Sequence, residues 1–188
     1  MRRTIRERPR WRVGVLDSDS RSRVEVARLI EAGGGMVVVD SPPRPDSVDL
    51  LRRMEPDAVV VATDDLMNQR GGAPRPALDW PAAVVLLASA VRAWTMRAAQ
   101  VPGVMGVLLR PLRAEAVGPT LDIAVARFRE LRRLRQALAD RPVVEQAKAR
   151  LMTLEGLSEP AAFGWLRRRA MERRIRIGDV ARSVLESA

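Results

Sequence analysis

The chain has 188 residues, 47% of them apolar, with a formal net charge of +10 and neither cysteine nor histidine, which excludes disulfides, thiolate sites, serine–histidine catalysis and ordinary zinc centres. Its length suits one domain of about 100–200 residues, or one with a small appendage. There is no apolar run of about 18 residues to span a membrane, and the basic start MRRTIRERPRW lacks the apolar core of a signal peptide, so the cytoplasm is the expected compartment. RVGVLDSDS (12–20) reads as a short strand ending in acids. Residues 22–34 carry Val26, Leu29 and Ile30 at helical spacing and stop at glycines. MVVVD (36–40) predicts a second strand, SPPRP (41–45) a turn and SVDLLRRM (47–54) a short helix. DAVVVA (57–62) predicts the third strand, NQRGGAPRPALDWP (68–81) a polar loop and AAVVLLAS (82–89) the fourth strand. RAWTMRAAQ (92–100) reads as a helix, and GVMGVLLRP (103–111) as a fifth strand closed by Pro111. Wholly apolar strands alternating with helices fit a parallel sheet covered on both faces, an α/β fold of flavodoxin-like order with any site at the strand C-termini.

From about Arg113 onward no strand signal remains. Residues 119–140 predict a long amphipathic helix with Leu121, Ala124, Phe128, Leu131 and Leu138 on an a/d seam, interrupted by Arg135. The alternative is a helix packed on its own domain. Residues 141–188 predict three further helices: one with Pro142 in its first turn and ending at Gly156, one capped by Ser158 with Pro160 in its first turn, and a last one over IGDVARSVLES. The expected organisation is therefore 1–118, a linker helix 119–140 and an all-α tail 141–188.

The charge follows this division. Residues 1–12 carry 6 Arg against 1 Glu, residues 13–120 carry 12 Arg against 13 acids, and residues 121–188 carry 15 basic residues against 9 acids. A basic end on a neutral body suggests a polyanionic partner for that end, although an Arg-rich composition can also reflect a GC-rich genome.

Acids after strand one, in a five-fold strand–helix pattern, resemble a two-component receiver domain. In that family an aspartate ends strand three, an acidic pair follows strand one, Thr or Ser ends strand four, and Lys–cis-Pro ends strand five. Here Ala62 falls at the phosphoacceptor position, Asp17 is kept with Ser18 as its partner, Leu87 stands at the hydroxyl position, and Arg110 precedes Pro111 where the lysine belongs. Ala62 has no carboxylate to accept a phosphoryl group, and Asp17 with Asp19 alone offers magnesium too few oxygens. Asp64 and Asp65 lie beyond the strand end, and all these acids are read as solvated turn residues. The resemblance thus implies a pseudo-receiver with no phosphoacceptor, no metal site, no cofactor and no catalytic residues; no enzyme class is supported.

The stretch VEQAKARLMTLEGLSEPAAFGWLRRRAMERRIRIGDVARSVL resembles the ANTAR domain, a three-helix RNA-binding module. The matching residues are Ala147-Lys148, Leu151-Met152, Ser158, Ala162-Phe163, Leu166-Arg167, Ala170-Met171, Ile177 and Val180-Ala181. Phe163, Leu166 and Ala170 share a helical face and are expected in the core, with Met152 and Val180 packed beneath it. The charges outside that face, Lys148, Arg167, Arg168, Arg173 and Arg174, are the candidate RNA contacts, since the planar guanidinium suits phosphates and base edges. Trp165 is open to two readings, stacking on a base or packing.

Pseudo-receiver, connecting helix and ANTAR tail together resemble the AmiR/NasT class of transcription antiterminators, and the missing aspartate makes the AmiR branch the nearer one. The resemblance implies a homodimer, joined through Leu121, Phe128, Leu131 and Leu138, that binds paired leader mRNA hairpins and stops a terminator forming. It also implies control by a ligand-sensing repressor resembling a periplasmic binding protein rather than by phosphorylation. Two other readings are a DNA-binding response regulator and an interaction module that has lost RNA binding.

Overall fold

The computed structural model describes residues 9–63 and 80–187. Asp64, Asp65, most of the loop expected over 68–81 and most of the N-terminal basic run lie outside the described residues. The described elements, in order, are β1 (Arg12–Leu16), α1 (Ser20–Ala32), β2 (Met36–Ser41), α2 (Ser47–Met54), β3 (Ala58–Ala62), β4 (Ala83–Ala88), α3 (Ala93–Ala99), β5 (Val104–Leu109), α4 (Ala114–Glu155), α5 (Glu159–Arg173) and α6 (Ile177–Glu186).

The strands form one parallel sheet of order β2-β1-β3-β4-β5, the flavodoxin-like order expected. The three central strands are buried along nearly their whole length, as strands covered on both faces must be. One core layer joins Val13, Val15, Val60, Val85 and Leu87 to Val26 and Ile30 of α1. The opposite layer joins Leu16, Val59, Val61, Val84 and Leu86 to Leu51 of α2. Gly14 is needed here, because a Cβ at this position would stand 2.8 Å from Leu51.

The chain divides into two compact units, one ending at Arg129 and the other beginning at Glu130. The stretch 119–140 is not a separate linker element but the middle of α4, a single helix of 42 residues. Its first part completes the sheet unit: Val117, Leu121, Ala124, Val125 and Phe128, at helical spacing, are buried in the first core layer. Leu121 is 0% and Phe128 6% exposed, so these two side chains are enclosed by their own chain and are not available to a dimer partner. The alternative reading, a helix packed on its own domain, holds for this half. Pro142 does not start a new helix either. Its missing N–H leaves the Leu138 carbonyl without a helical donor, but Leu138 is exposed, and water can satisfy a carbonyl there.

The second unit packs Val144, Ala147 and Leu151 of α4 against Ala162, Leu166 and Ala170 of α5 and Val180 and Ala181 of α6. Residues 162, 166 and 170 recur every fourth position, and this stripe, led by the small Ala162, is the buried one. Phe163, one residue further round the helix, is 45% exposed, and Met152 is 40% exposed. Neither is the core residue expected from the sequence. The α5 helix ends at Arg174, whose φ of 53° is left-handed and whose N–H bonds back to the Met171 carbonyl.

Candidate nucleic-acid interface

Two places could carry function: the C-terminal ends of the strands, and the helical tail. At the strand ends, Ala62 closes β3 and is buried, with no carboxylate to accept phosphate. Asp17 follows β1 but is not a solvated turn residue: it is 4% exposed. Its carboxylate accepts from the Asp19 amide at 2.9 Å, the Ser22 hydroxyl at 2.5 Å and the Arg110 guanidinium at 2.6 Å. Asp19 is used as well, as the cap of α1, accepting from the Arg21 amide at 2.9 Å. Arg110 reaches this position from the end of β5, where the Arg110–Pro111 peptide is cis, and it also bonds Ser22. Thr63 is buried and donates to the Leu87 carbonyl at 2.9 Å. A guanidinium therefore sits on the carboxylate that a metal would need, and the remaining groups are bonded to one another. No cluster of three or more metal-ligating side chains occurs among the described residues.

The tail is different, because its charges face outward. Arg167, Arg168, Arg173 and Arg174 are all exposed. Arg168 lies opposite Leu166 on α5, Arg173 is the last residue of that helix, and Arg174 caps it at the turn toward α6. Lys148 does not belong with them. It is 8% exposed, and its ammonium is held between Glu145 at 2.8 Å and Glu159 at 2.7 Å. Hydrogen bonds to Glu145 and then Glu159 raise its pKa above the ordinary lysine value, and the bond from Lys148 lowers that of Glu159. Lys148 is thus a tie between α4 and α5.

Several residues that the sequence pattern did not single out shape the rest of this surface. Arg169 lies over the Trp165 ring, 5.4 Å from its centre; the spacing of four, which aligns side chains on a helix, was the available signal. Trp165 is half-buried against the tail's core. Asp140 is buried, accepts from Gln136 at 2.8 Å and is bonded by Arg182. Arg182 also reaches Asp179 at 2.6 Å, and Asp179 is bonded by Arg176 at 3.2 Å. The Arg176 hydrogen bond, aided by the charge of Arg182, lowers the Asp179 pKa. Gly178 packs on the Asp140 carboxylate so closely that a Cβ would collide with it. Nothing in the local sequence announces a contact between residues 140 and 178.

A five-stranded receiver-like sheet with its acceptor position vacant, joined by one helix to a basic three-helix unit, defines a regulator built on the response-regulator plan. Comparison with known proteins agrees for both parts. The ANTAR domain family matches residues 132–185. The chain is 31% identical over 186 residues to the transcriptional regulatory protein PdtaR of Mycobacterium tuberculosis, covering 94% of this chain and 90% of that one. It is also 39% identical over 56 residues to the nitrate regulatory protein of Klebsiella oxytoca, covering 30% of this chain and 14% of that protein. The sheet unit resembles the signal receiver domain of the putative response regulator NarL from Mycobacterium tuberculosis, with a TM-score of 0.54, 20% identity and coverage of 63% and 98%. A receiver domain protein from Clostridium thermocellum gives 0.52 at 16% identity, with coverage of 64% and 98%. The chain belongs to the ANTAR-domain family of transcriptional regulators. No helix among the described residues is long and apolar enough to cross a membrane.

Proposed function

We propose that this protein is a cytoplasmic RNA-binding antitermination regulator: its tail binds hairpins in leader mRNA, it acts as a homodimer, and a ligand-sensing partner protein controls it in place of phosphorylation. The observation that carries the reading is the exposed set Arg167, Arg168, Arg173 and Arg174, for which no carboxylate among the described residues provides an ion pair. Unpaired guanidinium groups on one small helical unit are suited to phosphates, and binding there releases counterions. Control without phosphorylation is supported by Ala62 at the acceptor position and by the Arg110–Asp17 ion pair. Dimer formation is supported by Leu131, Leu134 and Leu138 on α4, spaced three and four apart; Leu134 and Leu138 are 55% and 64% exposed.

The test is RNA affinity across a salt series. Replacing Arg173 and Arg174 together with Ala should weaken hairpin binding and reduce the salt slope by about 0.7 for each single-strand phosphate that is no longer neutralised. Circular dichroism should show an intact fold, because surface changes cost within about 0.5 kcal/mol each. Tighter binding of wild type to duplex DNA than to RNA hairpins would instead make it a DNA-binding regulator. Unchanged affinity and slope in the folded double variant would put the RNA-binding face elsewhere.

A further inference from the structure

A groove of about 510 Å³ opens within the tail, between α4 and the starts of α5 and α6. Phe163 and Ile177, with Val144 and Ala137, form its apolar part, and Arg133, Arg141 and Arg176 stand along it. Phe163 is one of only two phenylalanines in a chain without tyrosine. The other, Phe128, is buried, whereas Phe163 leaves 45% of its surface open. Phe163 therefore presents an open aromatic surface beside cations.

The charges favour an anionic occupant. The two acids on the groove are answered within the protein: Asp140 by Gln136 and Arg182, Glu145 by Lys148. Arg176 is shared with Asp179. Arg133 and Arg141 have no carboxylate partner among the described residues and keep their full charge for a ligand. Trp165, the other aromatic on α5, is a poorer stacking surface, because Arg169 already covers its ring.

We propose that this groove receives an unpaired base of the bound RNA, stacked on Phe163, with the flanking phosphates held by Arg133 and Arg141. The inference rests on the RNA-binding reading and adds the place where a loop base is held. Stacking on an aromatic face tolerates any base and suits splayed loop nucleotides. The volume accommodates a base.

The test uses the full chain and two probes: one hairpin RNA selected by wild type from a pool with a fixed stem and randomised loop, and the same stem as a blunt duplex. Phe163→Ala should weaken hairpin binding about tenfold, within the range measured for removal of base stacking. Its salt slope should match wild type, because a stacked base releases no counterion, and duplex binding should be unchanged. Phe163→Trp should restore hairpin affinity. Arg133→Ala with Arg141→Ala should reduce the slope instead. Equal hairpin affinity in wild type and Phe163→Ala overturns the inference while the RNA-binding reading stands, as does an equal loss on both probes. If wild type selects no hairpin, both fall together.

Discussion

The Lys148 ammonium lies between two carboxylates, at 2.8 and 2.7 Å, with little access to water. Its link to Glu159 ties the start of α5 to α4, and its pH dependence has two edges. The Glu159 pKa is lowered in the folded protein by its bond from Lys148, so its contribution is complete above the ordinary carboxylate range and is lost as pH falls through the lowered folded value. The Lys148 pKa is raised, so its contribution is complete below the ordinary lysine value, about 10.4, and is lost only in stronger alkali. Melting temperatures of wild type and Lys148→Met should therefore differ at neutral pH and converge in acid. The same variant should keep its RNA salt slope, because this cation is already paired. At Gly178, an alanine would push on the Asp140 carboxylate that Arg182 and Gln136 hold. Overpacking of this kind costs about 1–3 kcal/mol, so urea denaturation of Gly178→Ala should show a lower midpoint with the α-helical signal retained in water.

The α4 helix does two jobs with two sets of leucines. Leu121 is fully buried in the sheet unit, and truncating such a residue costs about 2–5 kcal/mol. Leu121→Ala should lower stability and leave the oligomeric state as it is. Leu134 is exposed, so Leu134→Glu should change stability by no more than about 0.5 kcal/mol yet convert dimers to monomers in light scattering. A wild type that is monomeric at micromolar concentration would remove the dimer from the proposal. Pro142 sits inside the same helix, where it costs the Leu138 carbonyl its donor. Pro142→Ala restores that bond and should raise the melting temperature, with a gain of up to about 3 kcal/mol from helix propensity.

Across the whole molecule, the receiver-like sheet carries Ala62, which has no carboxylate, at the end of β3 where the phosphoacceptor is expected. Incubation with a small phosphodonor and magnesium should leave the intact mass unchanged, and an adduct of one phosphoryl group on wild type would contradict the vacant site. Ala62→Asp alone should also fail to gain one. Arg110 would still neutralise Asp17 at 2.6 Å, and magnesium needs several oxygens in near-octahedral geometry.

The strands, their parallel arrangement and the basic character of the tail were legible in the sequence because they follow from local composition: apolar runs such as AVVVA and AVVLLA bury on both faces whatever surrounds them. The vacant acceptor was legible for the same reason, since Ala62 carries no oxygen in any fold. Tertiary packing decided the rest. Whether Ala162 or Phe163 faces the core differs by a rotation of about 100° on a helix, which periodicity alone does not resolve when both are apolar. Pro142 reads locally as a helix start, yet packing on either side of it sustains one helix through it. Leu121 and Leu138 read alike on one seam, but only Leu121 meets the sheet unit's core. Lys148 reads as a free cation until Glu159, from the next helix, is brought to it. Asp140 and Gly178 are joined only by the fold, because a contact between residues 38 positions apart is a property of how helices pack and leaves no periodic trace in the chain.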